Sequence, residues 1–208
     1  MTKYSIKPVI KNFNTELKKN FSLIKAINKL HPSKLSAINE ERIIELAFLK
    51  IYAAWESYLE NIFIRYMTGA KSLSGIQPVR YVIPPSIDKA RYIYSGTIDG
   101  RVSWSGEQVR QKSVIYFKDG EPFTTAINSI KRYLDQMVVV RNSIAHSSST
   151  SYNKFKELAK KELPTIPFKK ISTPGKFLLS SGPNIPSLNI YFEFYSDMLK
   201  IAVEDIAR

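Results

Sequence analysis

The sequence predicts an all-α fold: an antiparallel bundle of about four or five helices with an irregular insertion at about residues 69–120. Three observations predict it. Long stretches free of Gly and Pro repeat apolar residues at three- and four-residue steps, the period of a helix with one buried face. Segments rich in Gly, Pro and Ser separate those stretches. No internal repeat is visible, so the 208 residues read as a single domain, long enough for a full core plus the insertion.

The first helix is expected over about residues 13–30. Phe13, Leu17, Phe21, Ile24, Ile27 and Leu30 mark one face, lysines fill the other, and Pro32 stops it. The second opens with Asn39 as its cap and Glu40 and Glu41 in the first turn, where the helix dipole favours acids. "RIIELAFLKIYAAWESYLENIFIRYM" follows and spans roughly 40 Å at 1.5 Å per residue. Ile44, Ala47, Phe48, Ile51, Tyr52, Trp55, Leu59, Ile62, Phe63 and Tyr66 surround nearly its whole circumference. Such a helix is central in a bundle or covered by a partner. Gly69 closes it.

Gly, Pro, aromatic and β-branched residues then become frequent. "DGRVSW" carries the signal of a turn and short strand and "KSVIYFKDGEP" that of another, so the insertion is expected to include a small hairpin. "SIDKARYIY" reads as a short helix. The third long helix starts near Glu121 or Pro122, with a core face of Ile127, Ile130, Leu134, Met137 or Val138, and then Arg141 and Ala145. A short fourth, "YNKFKELAKKEL", is capped by Thr150 or Ser151 and stopped by Pro164. "PTIPFKKISTPGKFLLSSGPNIP" reads as loop with extended pieces. Ser187 caps the last helix, whose buried side is Ile190, Phe194, Met198, Ile201 and Ile206.

Lys plus Arg number 31 against 18 acids, a formal net charge of +13 and a pI near 9.7. That excess favours a polyanionic partner, nucleic acid first and an anionic membrane surface second, unless it serves solubility alone. One basic stretch is Lys3, Lys7, Lys11, Lys18, Lys19, Lys25, Lys29 and Lys34, opposed by Glu16. A second is Lys154, Lys156, Lys160, Lys161, Lys169, Lys170 and Lys176, opposed by Glu157 and Glu162. They are two rims of one groove or two solvated faces. The absence of cysteine excludes disulfides and thiolate metal sites, and fits a cytoplasmic protein. No apolar run reaches the roughly 18 residues of a membrane span. "MTKYSIKPVIKNFNTEL" has no signal-peptide core.

The chemistry concentrates in "MVVVRNSIAHSSST", residues 137–150. Successive valines point about 100° apart, so Val139 or Val140 is expected at the surface unless a second subunit covers it. Asn142 and His146 share a helix face. Arg141, five positions before His146, lies about 140° round from it. A regular helix would not bring Arg141 and His146 together within one chain; they meet more readily if the helix end unwinds or a second copy completes the site, as a two-fold dimer would. Cleavage of RNA by its own 2′-hydroxyl needs a base, an acid and a cation at the phosphate. Histidine serves both proton roles, and arginine offers a fork that matches phosphate oxygens. No metal or other cofactor is called for. Alternatively, His146 completes a helix C-terminus and Arg141 snorkels or pairs, with Glu56 as a structural partner. Trp55 and Trp104 read as core, and His31 as incidental.

Arg141-Asn142-Ser143-Ile144-Ala145-His146 resembles the R-N-x-x-A-H form of the motif of the HEPN superfamily, small helical bundles common in prokaryotic defence and toxin–antitoxin systems. "AAWESYLE" in the preceding long helix and "STPGKFLL" before the last are similar in kind, the latter to the RiboL-PSP branch. The resemblance implies a dimeric, metal-independent endoribonuclease that leaves a 2′,3′-cyclic phosphate and a 5′-hydroxyl. Arg141 and His146 are then catalytic and Asn142 supporting. An antitoxin or sensor protein is an expected partner beside the RNA substrate. The rival expectations are a non-catalytic nucleic-acid- or nucleotide-binding bundle, and a helical interaction module whose charge keeps it in solution.

Overall fold

The computed structural model describes residues 4–30, 36–96, 102–146, 148–186 and 189–208, without the side chains of 27–30. Among the described residues the fold is all-α, with no strand. The helices are α1 (Lys7–Leu30), α2 (Ala37–Met67), α3 (Ile87–Ser95), α4 (Gly106–Tyr116), α5 (Phe123–Ser129), α6 (Lys131–Ala145), α7 (Ser149–Glu162), α8 (Pro174–Leu179) and α9 (Tyr191–Ala207). None is long and apolar enough to cross a membrane. The chain packs as two compact units. One comprises Met1–Thr15, Ala54–Lys131 and Lys200–Arg208. The other comprises Glu16–Ala53 and Arg132–Leu199.

Several boundaries differ from the sequence expectation. Asn39 lies inside α2. Its backbone N–H donates to Ser36 Oγ at 3.4 Å, so Ser36 takes the capping role. The expected stop at Pro32, the incidental His31 and the cap at Ser187 lie outside the described residues. α2 does end before Gly69, whose φ of 97° suits glycine. The third long helix is two, because Ile130 (φ −114°, ψ 10°) breaks the register between α5 and α6. Ile201, expected inside, is 42% exposed.

Among its described residues the insertion holds two α-helices, α3 and α4, and no strand, where a small hairpin was expected. The first five residues of "KSVIYFKDGEP", Lys112 to Tyr116, lie in α4, whose N-terminus is capped by Ser105 accepting from the Gln108 N–H. Glu107 in the first turn pairs with Arg110 at 2.7 Å. Val109 and Ser113, four apart, are buried on its inner face. Capping, pairing and burial at helical spacing outweigh the β-propensity of Val114 and Ile115. In "DGRVSW", residues 99–101 lie outside the described ones and the rest has no regular structure. Among the described residues beta pairing is limited to one isolated antiparallel bridge, Arg80 to Phe117. Tyr81 N–H donates to the Tyr116 carbonyl, and Lys118 N–H to that of Val79. Along this extended segment Val79, Tyr81 and Ile83 alternate outward at 61%, 61% and 71% exposure.

Phe63 organises the core of the first unit. Its ring meets those of Tyr94, Trp104, Tyr116, Phe117 and Phe123 at 4.8–6.1 Å between centroids. In the second unit Phe177 of α8 stacks on Tyr191 of α9 at 4.3 Å and meets Phe155 of α7 edge-on at 5.9 Å. α8 replaces the expected loop. Thr173 caps it and also donates to Glu41 Oε2, while the Gly175 N–H donates to Glu45 Oε1, each at 2.7 Å. A Cβ on Gly175 would stand 2.7 Å from the Glu41 carbonyl oxygen, so only glycine permits this approach.

Candidate functional site

The predicted motif occupies the last turns of α6 in the second unit. Leu134, Gln136, Met137 and Val140 form its inner face. Val138 and Val139 are half-buried, so neither Val139 nor Val140 stands fully at the surface. Arg141 and Asn142 are half-buried as well. Ala145, expected on the core face, and His146 are exposed.

Asn142 links the two predicted catalytic residues. Arg141 donates from Nη1 to Asn142 Oδ1 at 3.0 Å, and the His146 backbone N–H donates to the Asn142 carbonyl at 3.0 Å. The second bond is an ordinary helical one, so α6 keeps its register up to the His146 amide. The helix end therefore does not unwind between Arg141 and His146. Their Cα–Cβ directions stay about 140° apart, as five helical steps require. The structure brings Arg141 to Asn142 and leaves the His146 side chain in solvent. Glu56, the structural partner expected on α2, is half-buried.

The serines after His146 have a structural role. Ser147 lies outside the described residues. Ser148, rather than Thr150 or Ser151, caps α7, accepting from the Ser151 N–H at 3.2 Å. The chain thus passes from the motif into α7 almost directly.

One polar cluster was missed. Glu162, read as an acid opposing the second basic stretch, is 1% exposed. Its Oε1 accepts from Gln136 Nε2 at 2.8 Å and Arg132 Nη2 at 3.1 Å. Its Oε2 accepts from Asn184 Nδ2 at 3.0 Å. The Tyr195 hydroxyl donates to Gln136 Oε1 at 3.0 Å, and burial pushes that phenol well above its ordinary pKa. Sequence carried a signal for this. Phe155, Ala159 and Glu162 follow the helical period of the inner face of α7, which puts the carboxylate inside. Trp55 is fully buried, as expected; Trp104 is half-exposed and stacks on Tyr94 at 3.9 Å.

Among the described residues no group of three or more His, Cys, Asp or Glu is placed to hold a metal ion. No family model, curated protein or solved structure matches the chain.

Proposed function

We propose that the chain is a metal-independent endoribonuclease of HEPN type, a toxin or phage-defence effector working in the cytoplasm as a homodimer. The observation that carries this reading is the Arg141–Asn142 contact one helical turn before an exposed histidine. In this reading the imidazole of His146 takes the proton of a ribose 2′-hydroxyl. The 2′-oxygen bonds to phosphorus, the bond to the 5′-oxygen breaks, and a protonated imidazole returns a proton to that leaving oxygen. A 2′,3′-cyclic phosphate and a 5′-hydroxyl result. Arg141 holds the non-bridging oxygens and offsets charge building on the phosphorane. Asn142 orients the guanidinium.

The 140° divergence favours a site shared between two copies, in which one chain's His146 works with its partner's arginine. An antitoxin or sensor protein would hold such an activity in check. Two other readings each have an observation in their favour. The Arg141–Asn142 contact alone would clasp a phosphate without cutting, as in a non-catalytic nucleic-acid or nucleotide-binding module. The exposed row Val79, Tyr81 and Ile83 would suit a helical interaction partner in a defence system.

The test is to incubate the protein with a structured RNA in EDTA, beside His146→Ala and Arg141→Ala. Wild type alone should cut. Equal cutting by all three, or by none, overturns the catalytic reading. Retained RNA binding without cutting favours the clasp, and loss of both favours the interaction module. Sedimentation showing only monomer at working concentration overturns the shared site.

A further inference from the structure

We infer that the outer face of α7, with the 3₁₀ turn Phe168–Ile171, is a platform for single-stranded RNA. The inference rests on the RNA-cleaving reading for the strand's identity, but its residues are separate from the motif.

Between Ser149 and Lys176 the sequence has seven lysines and two acids, Glu157 and Glu162. The structure removes one of those acids from the surface. Glu162 faces inward, bound to Gln136, Asn184 and Arg132. Glu157 is the acid left outside, and its nearest cation, Lys160, stands 4.0 Å away with both side chains exposed. Such a pair neutralises little. Lys154, Lys160, Lys161, Lys169 and Lys170 are exposed. The buried carboxylate thus leaves this face strongly basic.

Charge alone would serve any polyanion. Two aromatic rings make the surface selective. Tyr152, Lys156 and Lys160 recur at four-residue steps and so line one stripe of α7. Tyr152 is 46% exposed, and its ring meets Phe168 of the neighbouring turn edge-on at 6.3 Å. Lys156 Nζ stands 5.8 Å from the Phe168 ring centre. Large aromatics at the surface, set among lysines, match the stacking-plus-phosphate chemistry that holds unpaired bases. A duplex hides its base faces and would use only the lysines.

The platform also lies close to the motif along the chain. Five residues lie between His146 and Tyr152, six steps of chain with a reach of at most about 20 Å. α7 begins only three residues after His146, so a strand stacked on Tyr152 is within a few nucleotides of the imidazole.

Binding of a labelled 12-nucleotide single strand and of its duplex, followed by anisotropy in EDTA over a salt series, tests this on the full chain. Tyr152→Ala should weaken single-strand binding roughly tenfold or more and leave duplex binding unchanged. Lys156→Glu with Lys169→Glu and Lys170→Glu should weaken both and flatten the salt slope for the single strand by about 2. Phe168→Leu keeps the apolar packing, and unchanged urea midpoints confirm folding. Wild-type binding by both the tyrosine and the lysine variants overturns the platform. So does duplex binding as tight as single-strand binding. So does lysine-dependent binding to vesicles of three parts phosphatidylcholine and one part phosphatidylserine in place of RNA. Cleavage by wild type and His146→Ala reads the other claim. Platform-dependent binding without cleavage keeps the platform and overturns the nuclease. His146-dependent cleavage untouched by platform variants does the reverse.

Discussion

Glu162 accepts a hydrogen bond from Gln136 across 2.8 Å, and both side chains are buried. Replacing Glu162 with Ala leaves the buried Gln136 amide without its acceptor, whereas Asn184 and Arg132 are exposed and turn to water. A buried donor left unpaired costs about 1–3 kcal/mol. Glu162→Ala should therefore lower the urea-unfolding free energy by about 1–3 kcal/mol. Glu162→Gln, which keeps an acceptor oxygen, should cost less. Midpoints equal to wild type for both would show that the cluster contributes no net stability.

Glu45 gives a pH dependence of definite sign. Burial raises its pKa above the ordinary 4.5, against the hydrogen bond from the Gly175 N–H, and the charge of Glu41 raises it further. The folded protein thus keeps a proton that the unfolded chain has already released. The associated stability is fully present at acidic pH and is lost as pH rises through the folded value. Glu45→Gln keeps the acceptor for Gly175 without the charge. It should be more stable than wild type at neutral pH, with the difference vanishing in acid. Thermal unfolding across that range checks it, and a pH-independent difference would rule out this origin.

Glu107 has the opposite sign. Hydrogen bonds from Arg110 above all, with Lys131 and Gln111, hold its pKa down at about 2. Its contribution is present above the ordinary carboxylate range and is lost as acid reaches that value. The site is well exposed, so the effect on stability is small. Carboxyl titration by NMR should find Glu107 the last of these acids to protonate, and Arg110→Ala should move it upward.

Gly175→Ala tests the approach of α8 to α2. The added methyl would meet the Glu41 carbonyl oxygen and Cα at 2.7 and 2.8 Å. Overpacking of this kind costs about 1–3 kcal/mol. The melting temperature should fall, and the Glu45 pH effect should grow, because moving the Gly175 N–H weakens the hydrogen bond that lowers the Glu45 pKa.

For the proposed nuclease, His146→Ala should reduce single-turnover cleavage by about 10²–10⁴, the usual worth of a positioned acid or base. Arg141→Lys should also be impaired, since an ammonium cannot reach Asn142 and grip two phosphate oxygens in one plane. Asn142→Ala should cost less than Arg141→Ala. The reverse order would mean that Asn142 does more than orient the guanidinium.

Helix identity was legible wherever apolar spacing was regular. α1, α2, α6, α7 and α9 all follow from it. What periodicity missed was decided by contacts distant in sequence. α4 carries a β-like sequence but is fixed by Ser105, Glu107 and an inner face of Val109 and Ser113. α8 is short and starts from Thr173, and its position depends on Glu41 and Glu45, more than a hundred residues earlier. In the motif, sequence fixed the angular relation of Arg141 and His146. The Arg141–Asn142 bond was not legible, because adjacent helix residues point apart and only side-chain rotamers bring them together.

The outward row of Val79, Tyr81 and Ile83 bears on how this protein behaves in a tube. A chain with a net charge of +13 repels its copies over the Debye length, about 30 Å in 10 mM salt and about 8 Å in physiological salt. As salt shortens that range, copies approach closely enough for apolar rows to touch. Self-association that grows with salt and disappears in Tyr81→Ser belongs to this row. Association that persists in Tyr81→Ser at low salt is the kind that bears on a shared His146 site.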